Sequence, residues 1–359
     1  MTILSRYIVK EIAKHFGIIL IVVMGIYLTV DFIEKIDNFM EVKVPFSRAL
    51  LYFAYKLPLI IIQVTPVGVL LSVLISFGLM SKYNELVALR SSGINLVSLL
   101  TPILLCGAAA TLIVFLMNEG VAPLTMMRAN KIWLQEVKGQ RMTTIQQKDI
   151  WLKGEQAIIH LKFYEPETMS VMGISVNRFD QKSNLVQRID AKIGVFKNGR
   201  WLLKDGIIQQ RDQLTEDWNV SLFESQLVDL PFTPEELARA APQTEEMSFL
   251  QLKDYVEKMR AEGYDATRYE VDLQAKISFP FVCIIMTMIG AGLAARGKIK
   301  DGLAISIVYG LGTVFLYAIA FFLLFLRLGY AGILPPILAA WGVNLLFFCL
   351  AAYLFLNAE

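Results

Sequence analysis

Histidine and cysteine are nearly absent from this 359-residue chain, which has two of the first and three of the second. His15 and His160 stand far apart, and Cys106, Cys283 and Cys349 all fall inside apolar runs. Neither a metal site of ordinary ligand spacing nor a disulfide framework can be assembled from them. Cysteine usage therefore does not reveal the compartment of the polar middle of the chain. Charge is scarce as well: Asp, Glu, Lys and Arg make up 18% of the residues, where soluble domains carry about 25%. The net charge is only +2 and no Lys/Arg stripe is present, so nucleic acid is not an expected partner. No nucleophile elbow occurs, and the carboxylates of the middle block read as solvated strand faces. No catalytic residue, metal ligand or cofactor is assigned, and the chain is expected not to be an enzyme.

One near-match to a nucleotide-binding loop fails on inspection. Gly292, Gly297 and Lys298 have the spacing of a phosphate-binding loop, but Ile299 stands where a magnesium-binding Ser or Thr is required. The segment also leaves an apolar run instead of joining a strand to a helix. It reads as a basic loop anchoring two membrane spans.

What the chain has in abundance is apolar length. Hydrophobic residues account for 55% of it and the mean hydropathy is +0.53. A hydrocarbon core about 30 Å thick takes roughly 20 helical residues to cross. Residues 57–81, 91–118, 277–295, 302–326 and 328–358 contain no charge, and residues 16–33 are interrupted only by Asp31. Six spans follow, three on each side of a polar block without a membrane-length run. The fold class predicted is an α-helical polytopic membrane protein with an inserted all-β, jelly-roll-like domain. Its parts are an N-terminal membrane half at 1–118, the inserted domain at 119–272 and a C-terminal half at 273–359. The first apolar run lacks a small-residue cleavage site and reads as a retained span, not a removed signal peptide.

Lysines and arginines beside span ends set the orientation. A cytoplasmic N-terminus places eight of them inside, namely Arg6, Lys10, Lys14, Lys82, Arg90, Arg296, Lys298 and Lys300. It leaves five outside: Lys35, Lys43, Arg48, Lys56 and Arg327. Both termini are then expected in the cytoplasm, with the middle block beyond the membrane.

That block reads as mostly β. Lys197-Asn198-Gly199 separates strand-like runs at 192–195 and 200–204, and Asn-Gly between such runs is a strong hairpin signal. Asp205-Gly206 suggests a second turn leading into 207–210. Further strands are expected at 149–152, 157–163, 173–179 and 220–228. After Pro231 and Pro234 the period changes. Ser248 and Gln251 form a capping box, and Phe249, Leu252, Val256 and Met259 share one stripe of a helix over about 248–263 that ends near Gly263.

Two polar features beside the spans call for weighing. Asp31, Glu34 and Lys35 simply emerge into the headgroup region, or else they help to admit a charged lipid head with Lys35, Lys43, Arg48, Lys56 and Arg327 supplying positive charge. Between the second and third spans, a short amphipathic helix over about 82–93 carries Asn84, Glu85, Leu86, Leu89 and Arg90 and ends at Gly93. It is either a plain surface connection or a knob for a cytoplasmic motor.

Several short motifs, in order along essentially the whole chain, resemble the lipopolysaccharide export permeases of the LptF/LptG family. They are Arg6-Tyr7-Ile8, Glu85-Leu86-Val87 through Ser92-Gly93, Val121-Ala122-Pro123, Arg268-Tyr269, Lys276-Ile277 with Pro280, and Leu334-Pro335-Pro336. The spacing of Asp149 to Lys153 and of Gly173-Ile174-Ser175 looks closer to the LptG branch. The resemblance implies an inner-membrane permease half of an ABC transporter, paired with an LptF-like paralogue and a dimeric LptB-like ATPase. It also implies a periplasmic jelly roll that passes lipopolysaccharide to an LptC- or LptA-like bridge protein. The role of docking into the ATPase falls on Glu85 and its neighbours from Asn84 to Gly93. Asp31 departs from the basic residue such relatives tend to carry at the end of the first span, so Lys35 is expected to substitute. Two other classes stay open: a different ABC-type permease or efflux subunit, and a membrane-anchored sensor or scaffold. Co-purification with a nucleotide-binding subunit separates the last from the others.

Overall fold

The computed structural model describes residues 3–92, 97–137, 150–153, 157–165, 169–180, 184–197, 199–211, 217–230, 232–234, 237, 243–261, 263–295 and 303–356. Of the sequence features above, Gly93, Asp149, Asn198, Pro231 and the basic loop at 296–300 lie outside them. The chain divides into two compact units, one of residues 1–133 with 244–359 and one of residues 134–243.

The first unit is helical, and among the described residues six helices are long and apolar enough to cross a membrane. Helix α1 spans Ile3–Glu41 and α2 spans Phe46–Lys82. The short α3 (Glu85–Ser91) precedes α4 (Val97–Leu116). A π-turn at Met117–Val121 carries α4 into α5 (Ala122–Ile132), which ends in a second π-turn at Trp133–Val137. The chain returns through α6 (Phe249–Ala261) and α7 (Thr267–Ser278), and then a 3-10 turn at Phe279–Phe281 leads into α8 (Val282–Ala295). Helix α9 (Leu303–Ala318) passes through a π segment at Ile319–Phe325 into α10 (Leu326–Tyr330), and α11 (Pro336–Leu356) follows.

These helices overrun the uncharged stretches of sequence. Charged residues are good helix formers, so a helix does not stop where the hydrocarbon does. The boundary between the last two spans also moves. Arg327, a lone charge, does not break its helix. The break comes at 331–335, where Gly332 adopts a φ of +71° and Pro335-Pro336 opens the next helix.

Helices α2 and α8 form the centre of the unit. Helix α2 touches α1, α5, α8 and α9, and α8 touches α2, α4 and α11. Close approach depends on small residues, as is usual between helices in lipid. A Cβ on Gly107 of α4 would come 2.5 Å from the Thr287 hydroxyl of α8. The outer helices instead turn large apolar side chains outward, among them Ile21, Val22 and Ile26 on α1 and Val308, Phe315 and Leu323 on the fifth span. Such faces are at home against acyl chains.

The break at Pro280 shows how polar groups are handled in this unit. Proline has no N–H for the Lys276 carbonyl four residues back. The Asn118 side chain, delivered by the π-turn, donates to that carbonyl at 3.2 Å. The Val282 N–H bonds to Phe279 and Pro280 instead of Ser278, and the Ser278 carbonyl accepts from Asn344 Nδ2 at 2.7 Å. Asn344 Oδ1 in turn accepts the Tyr317 hydroxyl at 2.6 Å. In the same π-turn, Glu119 Oε2 accepts the Phe249 N–H at 2.7 Å at the start of α6. There the expected capping box also forms, with the Ser248 N–H donating to Gln251 Oε1 and the Gln251 N–H to Ser248 Oγ. Helix α6 ends as expected before Gly263, whose φ is +79°.

The second unit is all β. Its strands are β1 (Ile150–Lys153), β2 (Ala157–Glu165), β3 (Ser170–Phe179), β4 (Leu185–Lys197), β5 (Arg200–Arg211) and β6 (Trp218–Val228). They make one antiparallel sheet in chain order, β1-β2-β3-β4-β5-β6. The hairpin around Gly199 pairs Lys197 with Arg200. The second expected turn does not reverse the chain. Asp205 has a φ of +50°, yet β5 runs on through it because Gly206 leaves room for the neighbouring strands. A Cβ at Gly206 would lie 2.5 Å from the Asp190 carbonyl oxygen and would strike the Phe223 ring.

Inward side chains of alternate residues build the core of this unit, including Ile159, Leu161, Ile174, Val176, Trp201 and Leu203. Phe232 and Leu237 complete it. They are fixed by the Trp201 indole donating to the Phe232 carbonyl at 3.0 Å and the Tyr164 hydroxyl donating to the Pro234 carbonyl at 2.8 Å.

Two outcomes follow. Asn344→Leu leaves the Ser278 carbonyl and Tyr317 hydroxyl buried without their partner, at a cost of about 1–3 kcal/mol. The melting midpoint in detergent is expected to fall, and an unchanged midpoint would contradict the role given to Asn344. Glu246 accepts a hydrogen bond from Asn130, but burial pushes its carboxyl above the usual range and Glu245 adds to the effect. A raised carboxyl pKa means that the ionised group opposes folding above its unfolded value, about 4.3. Glu246→Gln, which keeps an acceptor for Asn130, is expected to stabilise the protein at neutral pH, with the gain disappearing below about pH 4.

Candidate functional site

Asp31 and Lys35 lie one turn apart on α1, and Tyr52 and Lys56 have the same spacing on α2, so each pair shares a helix face. The α1–α2 hairpin brings the two faces together. Asp31 Oδ1 accepts from Lys35 Nζ and from Lys56 Nζ, both at 2.8 Å, and Oδ2 accepts from Lys56 Nζ at 2.7 Å. Asp31 and Lys56 are only 7% and 8% exposed. A charge so buried is tolerated only when it is paired and hydrogen-bonded, and here one carboxylate serves two ammonium groups.

Aromatic rings complete the enclosure. The Tyr52 ring centroid lies 5.6 Å from both Lys35 Nζ and Lys56 Nζ, and the Trp133 ring lies 5.7 Å from Lys35 Nζ. Both distances fall within cation–π range. Phe39 packs on Tyr52 and Trp133 with centroids 5.5 and 5.6 Å away. With all three groups ionised, the cluster carries one net positive charge. Only Lys35 keeps a substantial accessible side, at 26% of its side chain against 9% for Asp31 and 11% for Lys56. The arrangement can receive an anionic oxygen through Lys35.

Of the five cations expected to face a lipid head, the structure brings together Lys35 and Lys56. Lys43 is exposed in the turn after α1, where its φ is +57°. Arg48 is exposed in the first turn of α2. Arg327 is exposed on α10, which packs on α7 and α11, and it takes no part in the cluster. Asp31 does not simply emerge beside the span, since it turns inward as the hub of the cluster. Tyr52 and Trp133 were missed from sequence. The matched four-residue spacings of Asp31 with Lys35 and Tyr52 with Lys56 were the available signal.

The expected short helix is present at the other end of α1. Asn84 turns the chain with a φ of +59°, a conformation that Asn tolerates better than most residues. The Ala88 N–H then bonds to the Asn84 carbonyl at 3.0 Å. Leu86 and Leu89 pack on a cluster that includes Leu4, Ile8 and Ile12 of α1 with Phe77, Leu99 and Ile103. Glu85 stays at the surface, where its Oε2 accepts a hydrogen bond from the Tyr7 hydroxyl at 3.0 Å. Arg90 lies within α3, and the Ser91 and Ser92 hydroxyls close the helix by donating to the Ala88 carbonyl. The short helix is thus clamped to the first turns of α1 by apolar packing and by the Tyr7–Glu85 hydrogen bond.

Comparison with known proteins gives the same direction along the whole chain. The family model described as "Lipopolysaccharide export system permease LptF/LptG" matches residues 6–357. The lipopolysaccharide export system permease protein LptG of Haemophilus influenzae is 23% identical over 347 residues, covering 87% of this chain and 93% of the relative. LptG of Escherichia coli K12 is 21% identical over 362 residues, covering 99% and 98%. The chain belongs to the LptF/LptG family of lipopolysaccharide export system permeases.

Proposed function

We propose that this permease works as the LptG-type half of an ABC exporter that lifts lipopolysaccharide out of the bacterial inner membrane. The observation that carries the reading is that α1, an unbroken helix from Ile3 to Glu41, bears a contact to Glu85 at one end and the Asp31–Lys35–Lys56 cluster at the other. At 1.5 Å per residue, Tyr7 and Lys35 stand about 42 Å apart. In the proposed orientation both termini and α3 are cytoplasmic, and the β domain is periplasmic. The membrane halves at 1–118 and 273–359 flank the periplasmic block at 119–272.

Drawing a lipid into water costs about 0.8 kcal/mol per CH₂, so a single acyl chain of about ten such groups costs roughly 8 kcal/mol. A separate, dimeric LptB-like ATPase supplies that energy by gripping the segment around α3 through Asn84, Glu85, Leu86, Leu89, Arg90 and Gly93. An LptF-like paralogue forms the other half of the pathway. Lys35 and Lys56 receive a phosphate of the lipid head, with Lys43, Arg48 and Arg327 adding positive charge around it. The β domain hands the lipid to an LptC- or LptA-like bridge protein. Its strand β6, exposed from Trp218 to Leu227 apart from the half-buried Phe223, offers an open edge for strand pairing.

Depletion of the chain is expected to stop newly made lipopolysaccharide from reaching the outer membrane, and normal arrival would refute the function. In the purified complex, Glu85→Arg is expected to cut ATP-driven lipid release at least about tenfold by placing a repulsive charge at the docking point. Tyr7→Phe, which removes only the hydrogen bond to Glu85, is expected to cost less than Glu85→Arg. Orientation is checked by a membrane-impermeant thiol reagent on Asn198→Cys, which is expected to label from the periplasmic side.

A further inference from the structure

Lys35 and Lys56 need an anion between them whether or not a ligand is present. They project from neighbouring helices toward one point, and two like charges held that close and that buried repel strongly without a partner. Asp31 supplies the partner, with each lysine 2.7 or 2.8 Å from its carboxylate. A carboxylate in this position presents two oxygens to two ammonium groups, which is also how a phosphate monoester would be held.

We infer that Asp31 is a built-in stand-in for the ligand's phosphate, a specificity-determining carboxylate that occupies Lys35 and Lys56 until a phosphate takes its place. The inference rests on the proposed headgroup role of these lysines. Exchange begins at Lys35, the most accessible member, which binds Asp31 through a single oxygen. Lys56, bound through both oxygens, follows or stays. Tyr52 and Trp133 keep the ammonium groups in place during exchange, because cation–π attraction does not depend on which anion is bound. Singly charged anions compete poorly with a carboxylate already in place, whereas a phosphate brings up to two charges and three acceptor oxygens. The returning carboxylate also speeds release, which an exporter needs as much as it needs binding.

A purely structural strut between α1 and α2 would leave the same static geometry, and the two ideas differ in the sign of one measurement. The full chain, purified with its partner subunits in nanodiscs of zwitterionic lipid, is titrated with three probes. These are lipopolysaccharide bearing its lipid-anchor phosphates, the same lipid dephosphorylated, and inorganic phosphate. Asp31→Asn is expected to bind the phosphorylated lipid about tenfold more tightly, with slower release and no change for the dephosphorylated lipid. Weakened or unchanged binding of both phosphate-bearing probes by Asp31→Asn would overturn the inference. The headgroup reading would still stand if Lys35→Gln with Lys56→Gln abolishes the preference for phosphate. If that double variant binds normally, the headgroup reading falls and the inference falls with it. Inorganic phosphate bound with the same dependence on Asp31 would support the exchange and assign the free anion as a ligand.

Should Asp31→Asn alone fail to insert, it is combined with Lys56→Gln and compared with Lys56→Gln alone, so that the loss of Lys56 is common to both. The exchange predicts that the double variant binds the phosphorylated lipid more tightly than Lys56→Gln, and equal or weaker binding overturns it.

Discussion

Hydrocarbon offers no hydrogen bonds, so every polar group placed among these helices has to find its partner within the protein. That constraint decides more of this structure than helix propensity does. It makes the six spans helical in the first place. At Pro280, where the helix loses an N–H, two asparagines from other helices, Asn118 and Asn344, meet the carbonyls set free. It also explains why Asp31 and Lys56 are buried as a pair and why a third charge, Lys35, is drawn to the same carboxylate. The irregular places are where side chains do the work of the missing ladder. The π-turn at Met117–Val121 is the clearest case, since it presents both Asn118 and Glu119 to helices from the other half of the chain.

Much of the architecture was legible because apolar run length and strand alternation are local properties. Six spans, the strands of the insert, the capping box at Ser248 and the stop near Gly263 all follow from short windows of sequence. What local reading missed has a common cause. Run length registers the thickness of the bilayer but not the ends of helices, so the helices proved longer than their apolar parts. A positive φ was foreseeable at Asp205-Gly206, but whether the chain reverses there depends on Phe223 and Asp190 of neighbouring strands. The candidate site divides in the same way. Lys35 and Lys56 were named from charge and position alone. Trp133 was not, because a ring 98 positions from Lys35 in sequence becomes relevant only once α5 is packed against α2, and Tyr52 was not, because its ring faces the lysines only once α1 and α2 pair. Arg327 was grouped with the others by its place near a span end, but it belongs to α10, which packs on α7 and α11.

Helix α1 joins the two candidate regions. Its first turns hold the short helix α3 through Leu4, Ile8, Ile12 and Tyr7, and its last turns hold the charged cluster through Asp31 and Lys35. Between them no proline interrupts the helix, and much of its surface is apolar and exposed. A long helix fixed at both ends and lightly held between them transmits displacement along its axis better than it transmits bending. A motor acting on α3 and a lipid contacting Lys35 would therefore act on one rigid body.

The Tyr317–Asn344–Ser278 chain links the fifth, sixth and fourth spans through buried hydrogen bonds. Asn344 belongs to the last of these to leave the ribosome. Until it arrives, the Ser278 carbonyl lacks its side-chain partner among the described residues, and the two earlier spans are not yet joined through it. The polar seam of the second half of the molecule is therefore completed only when its last span is in place. A chain ending before residue 344 would leave the Ser278 carbonyl and the Tyr317 hydroxyl without these bonds, in a medium that offers them no water.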